Sequence, residues 1–198
     1  MRCLFAAVWI GALAGDPAPR QLSVEELHED LDVFEVELKA CHAGLDRYLD
    51  EFELEEWFEE TYAALDRPMT ALELYPHLAR FLTAVRCGHT ALTLPPGVRG
   101  HVVSTQRALP LRLTFLGRRA YVLRNLSADS GVPVGAEVLA INGRTMADIL
   151  TELLTYLPGD ADVENHKLYR LNRRFTYWYS VLLDRSPVFE VAVETLDG

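Results

Sequence analysis

The feature that most constrains this chain is a change of hydrophobic period near Gly88. Up to that glycine the apolar residues recur at spacings of three and four, as on the buried stripe of a helix. From Thr90 onward they fall in short alternating runs, as on strands. Three helices are expected in the first part. Ser23-Val24-Glu25-Glu26 is a capping box, in which the serine hydroxyl and the glutamate three residues on satisfy free N–H groups at a helix start. The helix behind it carries Val24, Leu27, Leu31, Phe34, Leu38 and Cys41 on one stripe and ends at Gly44. A second, Asp50 to Leu65, turns Leu54, Trp57, Phe58 and Leu65 inward. Its glutamates, Glu51, Glu53, Glu55, Glu56, Glu59 and Glu60, form a solvated outer face without the aspartate-rich loop of a cation site. Thr70-Ala71-Leu72-Glu73 is another capping box, opening a third helix through Leu74, Leu78, Phe81, Leu82 and Val85, with Pro76 as a kink point and Gly88 as its stop.

The second part reads as strands Thr90 to Leu94, Leu109 to Leu116, Tyr121 to Asn125 and Glu137 to Ile141, with turns at Pro95-Pro96-Gly97 and Gly117-Arg118-Arg119. In the last of these strands Leu139 and Ile141 are expected to face one side. Asn142-Gly143 then turns the chain back, a dipeptide that tolerates positive φ. Thr145 caps a helix with Met146, Ile149, Leu150, Leu153, Leu154 and Leu157 on one face, and Pro158-Gly159 ends it. A further helix carries Leu168, Leu171, Phe175, Trp178 and Leu182, and a last strand spans Val188 to Val193. The expected fold class is α+β: three helices over 21–89, then a β module with two helices over 90–198.

Composition limits the partners. The chain of 198 residues is 49% hydrophobic with a formal net charge of −10, so a nucleic-acid backbone or an anionic membrane surface would repel it before contact. A peptide or small molecule fits better. Met1-Arg2, the apolar run Cys3 to Gly11 and Ala12-Leu13-Ala14 have the make-up of a signal peptide with an A-x-A cleavage site, and Gly15-Asp16-Pro17-Ala18-Pro19 is linker-like. Residues 1–20 are therefore read as leader and linker, and the mature protein as exported to the periplasm or beyond, with no membrane span. Cys41 and Cys87 are the cysteines left after cleavage. The first and third of three consecutive helices tend to run parallel, which puts both residues at the same end, where an oxidising compartment allows a disulfide. Two small buried thiols are the alternative.

Cys87-Gly88-His89-Thr90, the strand start Leu109-Pro110-Leu111, and Gly135-Ala136-Glu137-Val138-Leu139-Ala140-Ile141-Asn142-Gly143, in this order after a helical segment, resemble the front part of carboxyl-terminal processing (tail-specific) and tricorn-like serine peptidases. The stretch His42 to Tyr48 also looks like that family's helix-ending segment, with Ala43 where a proline is common. The resemblance implies a helical cap over 21–89 and a PDZ-like module over 90–198, which binds the substrate's chain end or gates access by adding the peptide to a strand edge. No glycine-rich loop with neighbouring apolar residues precedes Leu109, where a carboxylate-gripping loop would be expected.

By the same resemblance His89 is the candidate general base for a serine supplied by a later α/β domain, a role that suits an imidazole because it titrates near neutral pH. The alternative is local: Gly88 as a left-handed helix cap and His89 bonded to the helix's last carbonyls. None of Ser23, Ser104, Ser127, Ser130, Ser180 and Ser186 sits in a strand-to-helix nucleophile turn, so the chain is expected to be inactive without that α/β domain, as a truncated product or fragment would be. The expected function is the substrate-binding or gating part of an exported serine endopeptidase acting on peptides or unfolded proteins. A stand-alone peptide-binding PDZ-like module is the alternative. No cofactor and no metal are expected, since Cys41, His42, Cys87 and His89 are zinc ligand types whose spacing matches no common zinc pattern. Lys167, Arg170, Arg173 and Arg174 can grip an acidic substrate tail, or simply be paired and solvated.

Overall fold

The computed structural model describes residues 20–105, 108–129 and 131–195, with the side chains of 103–105 left aside; the leader and its cleavage site lie outside these residues. The described chain is α+β and divides into two compact units, one of residues up to 104 together with Pro158–Asp162, the other of Thr105–Leu157 and the residues from Val163 onward. The helical unit thus continues past His89 and recruits a short segment from far along the chain. Among the described residues no helix is long and apolar enough to cross a membrane.

In the helical unit a two-residue antiparallel ladder, β1 (Gln21–Leu22) against β2 (Met69–Thr70), sets two helix starts side by side. Helix α1 (Val24–Cys41) follows Ser23 and helix α3 (Ala71–Ala84) follows Thr70, and both expected capping boxes form. A third box, Asp50 with Glu53, starts α2 (Glu51–Ala64). Backbone N–H donors at Ser23 and Thr70 hold the Glu26 and Glu73 carboxyls below their usual range. Each helix then gives one phenylalanine to the core: Phe34 meets Phe81 edge-on with centroids 5.5 Å apart, and Phe58 lies 4.6 Å from the same ring. Leu27, Leu31, Phe34 and Leu38 are buried as expected, but Cys41 is exposed, because the stripe runs out of cover at its last turn.

Two expectations fail after α3. The stretch Thr90 to Leu94 forms no strand and is irregular, though Leu94 is buried and Leu92 O accepts from the Tyr75 hydroxyl at 3.1 Å. Pro95-Pro96-Gly97 is not a turn, for Pro96 opens helix α4 (Pro96–Thr105), where Pro95 O accepts from Arg99 N at 2.9 Å. The first N–H groups of a helix have no intrahelical partner, so a proline loses nothing there.

In the second unit β3 (Leu111–Leu116), β4 (Arg119–Asn125) and β5 (Glu137–Ile141) are antiparallel neighbours. The outer half of β5 pairs with β6 (Arg144–Thr145) across a tight turn in which Asn142 and Gly143 take φ of 49° and 75°, as the dipeptide requires. The other edge of β5 holds β7 (Val191–Glu194). Between Val138 and Ala140 this pairing slips by one residue, so Val138 and Ile141 are buried while Leu139 is exposed. Leu139 and Ile141 therefore do not share a face, since a bulge breaks the alternation the sequence suggests. Helix α5 (Met146–Leu154), capped by Thr145, buries Met146, Ile149, Leu150, Leu153 and Leu154. Helix α6 (Glu164–Leu182) buries Leu168, Leu171, Phe175 and Tyr179, with Trp178 and Leu182 partly covered, and departs from helical geometry at Arg174.

Candidate functional site

Within the helical unit two loops are laced together around Gly88. After α3 the chain passes through Arg86 in the left-handed region (φ 52°) and closes a turn in which Thr90 N donates to Cys87 O at 3.1 Å. The left-handed residue is therefore Arg86, not Gly88. Opposite lies Pro158–Asp162, with Ala161 also left-handed (φ 49°) and donating its N–H to Arg86 O at 3.0 Å. Two such non-glycine residues cost about 1–3 kcal/mol each and persist only where surroundings fix them. Arg86 and Asp162 add an ion pair at 3.8 Å.

Asp160 is the residue the lacing places. Its Oδ1 accepts from Gly88 N at 2.7 Å, and a Cβ on Gly88 would lie 2.9 Å from both carboxylate oxygens. The glycine is there for close approach. His89 Nδ1 stands 4.0 Å from Asp160 Oδ1, and its side chain is 80% exposed. Cys87 is partly buried against the helical core, and ligand-type atoms of Cys87, His89 and Asp160 all lie within 4.8 Å of one another. The neighbouring Thr90 is held from the end of α1, its Oγ1 2.9 Å from His42 Nε2.

Of the residues expected to carry function, His89 is thus an exposed imidazole on a braced turn beside a carboxylate. Cys41 and Cys87 are both free thiols: Cys41 is exposed and its Sγ lies 3.7 Å from Glu37 Oε2, while Cys87 turns toward the core and Asp160. No disulfide joins them in this structure. Of the four zinc ligand types in the sequence, Cys87 and His89 come together with Asp160 rather than with Cys41 and His42. Nothing local marks Asp160 in the sequence, where Pro158-Gly159 reads only as a helix stop, because its partners are some 70 residues away and join it only on folding.

The basic stretch lies along α6, and two of its residues bond to partners within the same unit. Lys167 Nζ donates to Leu154 O at the end of α5 (2.9 Å), and Arg173 bonds the Tyr169 hydroxyl (3.1 Å). Of the serines, Ser23 caps α1, Ser127 and Ser186 close turns with Asn125 and Asp184, and Ser180 is buried inside α6. The side chains of Ser104 and Ser130 lie outside the described residues.

In the second unit β3 ends the strand order β3-β4-β5-β6. Two of its backbone groups are engaged by α6: Phe115 N donates to Asn172 Oδ1 at 2.5 Å, and Leu111 O accepts from Thr176 Oγ1 at 3.0 Å, while the Thr114 hydroxyl donates to Asn172 Oδ1 at 3.2 Å. Comparison with protein-family models and with curated proteins gave no match for this chain.

Proposed function

We propose that this chain is the N-terminal, substrate-handling part of an exported serine endopeptidase of the carboxyl-terminal processing and tricorn-like kind, a helical cap and a PDZ-like module that work with an α/β domain bearing the nucleophile. The observation that carries this reading is His89, an exposed imidazole whose Nδ1 side faces the Asp160 carboxylate while the ring stays open to an incoming group. In the proposed reaction His89 Nε2 takes the proton of the serine hydroxyl as its oxygen attacks the scissile carbonyl, then returns it to the leaving amine. Asp160 stands on the Nδ1 side of the ring, 4.0 Å away, and leaves Nε2 to the serine. The order of β3, β4, β5 and α5, with the Asn142-Gly143 turn, supports the PDZ-like reading of the second unit.

The alternative, a stand-alone module that adds a peptide to β3, is less well supported. Strand addition needs free backbone groups, and those of Phe115 and Leu111 are taken by Asn172 and Thr176. A gating role for the module fits the closed edge better than chain-end capture.

The test is kinetic. With the chain joined to the α/β domain read from its own gene, His89→Ala is expected to leave folding intact and lower kcat for peptide hydrolysis by about 10²–10⁴-fold. Full activity in that variant, or a gene with no α/β domain carrying a serine at a helix start, would overturn the reading.

A further inference from the structure

We propose that Cys87, His89 and Asp160 form a binding site for one zinc ion, with solvent or a ligand in the fourth position. The zinc site goes beyond the peptidase reading and does not rest on it, since it concerns atoms of this chain alone; only an inhibitory role for it rests on that reading.

The chemistry of the donors selects the metal. A thiolate, an imidazole and a carboxylate are a borderline-soft set that suits zinc, whereas magnesium and calcium take oxygen donors throughout. A tetrahedral zinc holds its donors about 3.3–3.8 Å from each other, given bond lengths of about 2.0–2.3 Å. The three donor atoms already lie within 4.8 Å, so binding needs only small side-chain rotations. Three protein donors leave one position open, as in exchangeable or reactive zinc sites rather than closed structural ones.

The frame around the donors is held in place before any metal arrives. Cys87 and His89 flank Gly88 on one turn, closed by the Thr90 N to Cys87 O bond. Asp160 comes from the other loop, anchored by the Ala161 N to Arg86 O bond and by the Arg86–Asp162 pair. Gly88 N–H fixes Asp160 Oδ1, the kind of outer contact that orients a metal-binding carboxylate. Behind the turn, His42 holds Thr90. His89 and Asp160 are exposed, so an ion can arrive from solvent.

On binding, the Cys87 thiol gives its proton to solvent and the resulting thiolate, with the Asp160 carboxylate, balances the charge of the dication; nothing is oxidised or reduced. A zinc on His89 also occupies the imidazole that the proposed peptidase needs as a base, so it would inhibit that reaction. The site then acts as a metal-operated brake.

The test uses the whole purified chain, reduced and freed of metal by a chelator, and titrated with Co²⁺ as a spectroscopic stand-in. One equivalent of Co²⁺ is expected to produce visible ligand-field bands and a thiolate-to-cobalt charge-transfer band, both removed by one equivalent of Zn²⁺. Cys87→Ser should abolish the charge-transfer band, while Cys41→Ser and Cys3→Ser keep it. His89→Gln and Asp160→Asn should each weaken binding by at least about tenfold. Gly88→Ala retains all three donors but drives a methyl group against the Asp160 carboxylate, and should weaken binding too. Circular dichroism of each variant separates loss of the site from loss of the fold. No charge-transfer band in the wild-type chain, or a band that survives Cys87→Ser, overturns the proposal and leaves the peptidase reading standing. A joined enzyme that loses activity on His89→Ala while its wild-type chain binds no cobalt would likewise sink the zinc site alone.

Discussion

The two units solve the same problem, unpaired backbone groups at the ends and edges of secondary structure, by opposite means. In the helical unit each of α1, α2 and α3 is started by a capping box between residues three apart, so the solution is written locally. In the second unit the outer edge of β3 is closed by Asn172 and Thr176, 57 and 65 residues away. Local closure makes elements that are legible from a short stretch of sequence. Distant closure makes an edge whose availability depends on whether one helix stays seated.

The largest effect expected from a single substitution is in the helical core. Phe81 is fully buried and touches Phe34, Phe58 and Trp57, so Phe81→Ala should cost about 3–5 kcal/mol in denaturant unfolding. If capping rather than aromatic packing held the helices, the loss would be much smaller.

Next in size is the strand edge. Asn172→Leu strips the Phe115 N–H of its acceptor within a half-buried contact, at a cost of about 1–3 kcal/mol. Hydrogen exchange at the Phe115 amide should quicken. If α6 is the only obstacle to strand addition, the same variant should bind extended peptides that the wild-type chain ignores; unchanged exchange at Phe115 would mean that the edge is closed by something other than Asn172.

Thr70→Ala tests the local solution. Its hydroxyl accepts from Glu73 N at 3.3 Å, and removing it should cost about 1 kcal/mol, with Thr70→Ser restoring most of that. A loss equal to that of Asn172→Leu would erase the contrast between local and distant closure.

What the sequence made legible follows the same division. Helices α1, α2, α3 and α5, the β5 limits and the Asn142-Gly143 turn are all governed by residues within a few positions of each other, and they fall close to where periodicity and caps put them. Helix α4 was hidden because Pro-Pro-Gly is a turn signal except when the second proline occupies a first helical position. The bulge that exposes Leu139 depends on β7, some 50 residues on, and no window of β5 alone reveals it. The site was half legible: Cys87 and His89 lie on a recognisable Cys-Gly-His-Thr segment, but Asp160 joins them only through tertiary structure.

The smallest expected effect is the dependence of the second unit on pH, and it turns on Asp184. This carboxylate accepts from Ser186 N (2.8 Å), Asn142 Nδ2 (2.7 Å) and the Tyr179 hydroxyl (3.0 Å), and so ties the end of α6 to the β5–β6 turn. Burial pushes Asp184 up, but the hydrogen bonds from Ser186, Asn142 and Tyr179 outweigh it and hold the group below its ordinary range. A folded-state value below the unfolded one means that Asp184 contributes stability above the unfolded aspartate value of about 3.9, and that this is lost as pH falls through the folded value. Tyr179 is moved the other way, upward, first by burial and then by Asp184, so its contribution is present below the unfolded tyrosine value of about 10 and fades in strong alkali. Between those limits the pair is fully effective. Because Asp184 is only partly buried, the gain is screened and should fall below the cost of losing the Thr70 cap. Comparing unfolding of the wild-type chain and Asp184→Asn from pH 7 down to pH 3, the difference in stability should be constant at first and then shrink in the acid range. A difference that grows on acidification would mean that Asp184 is strained rather than stabilised by its three donors.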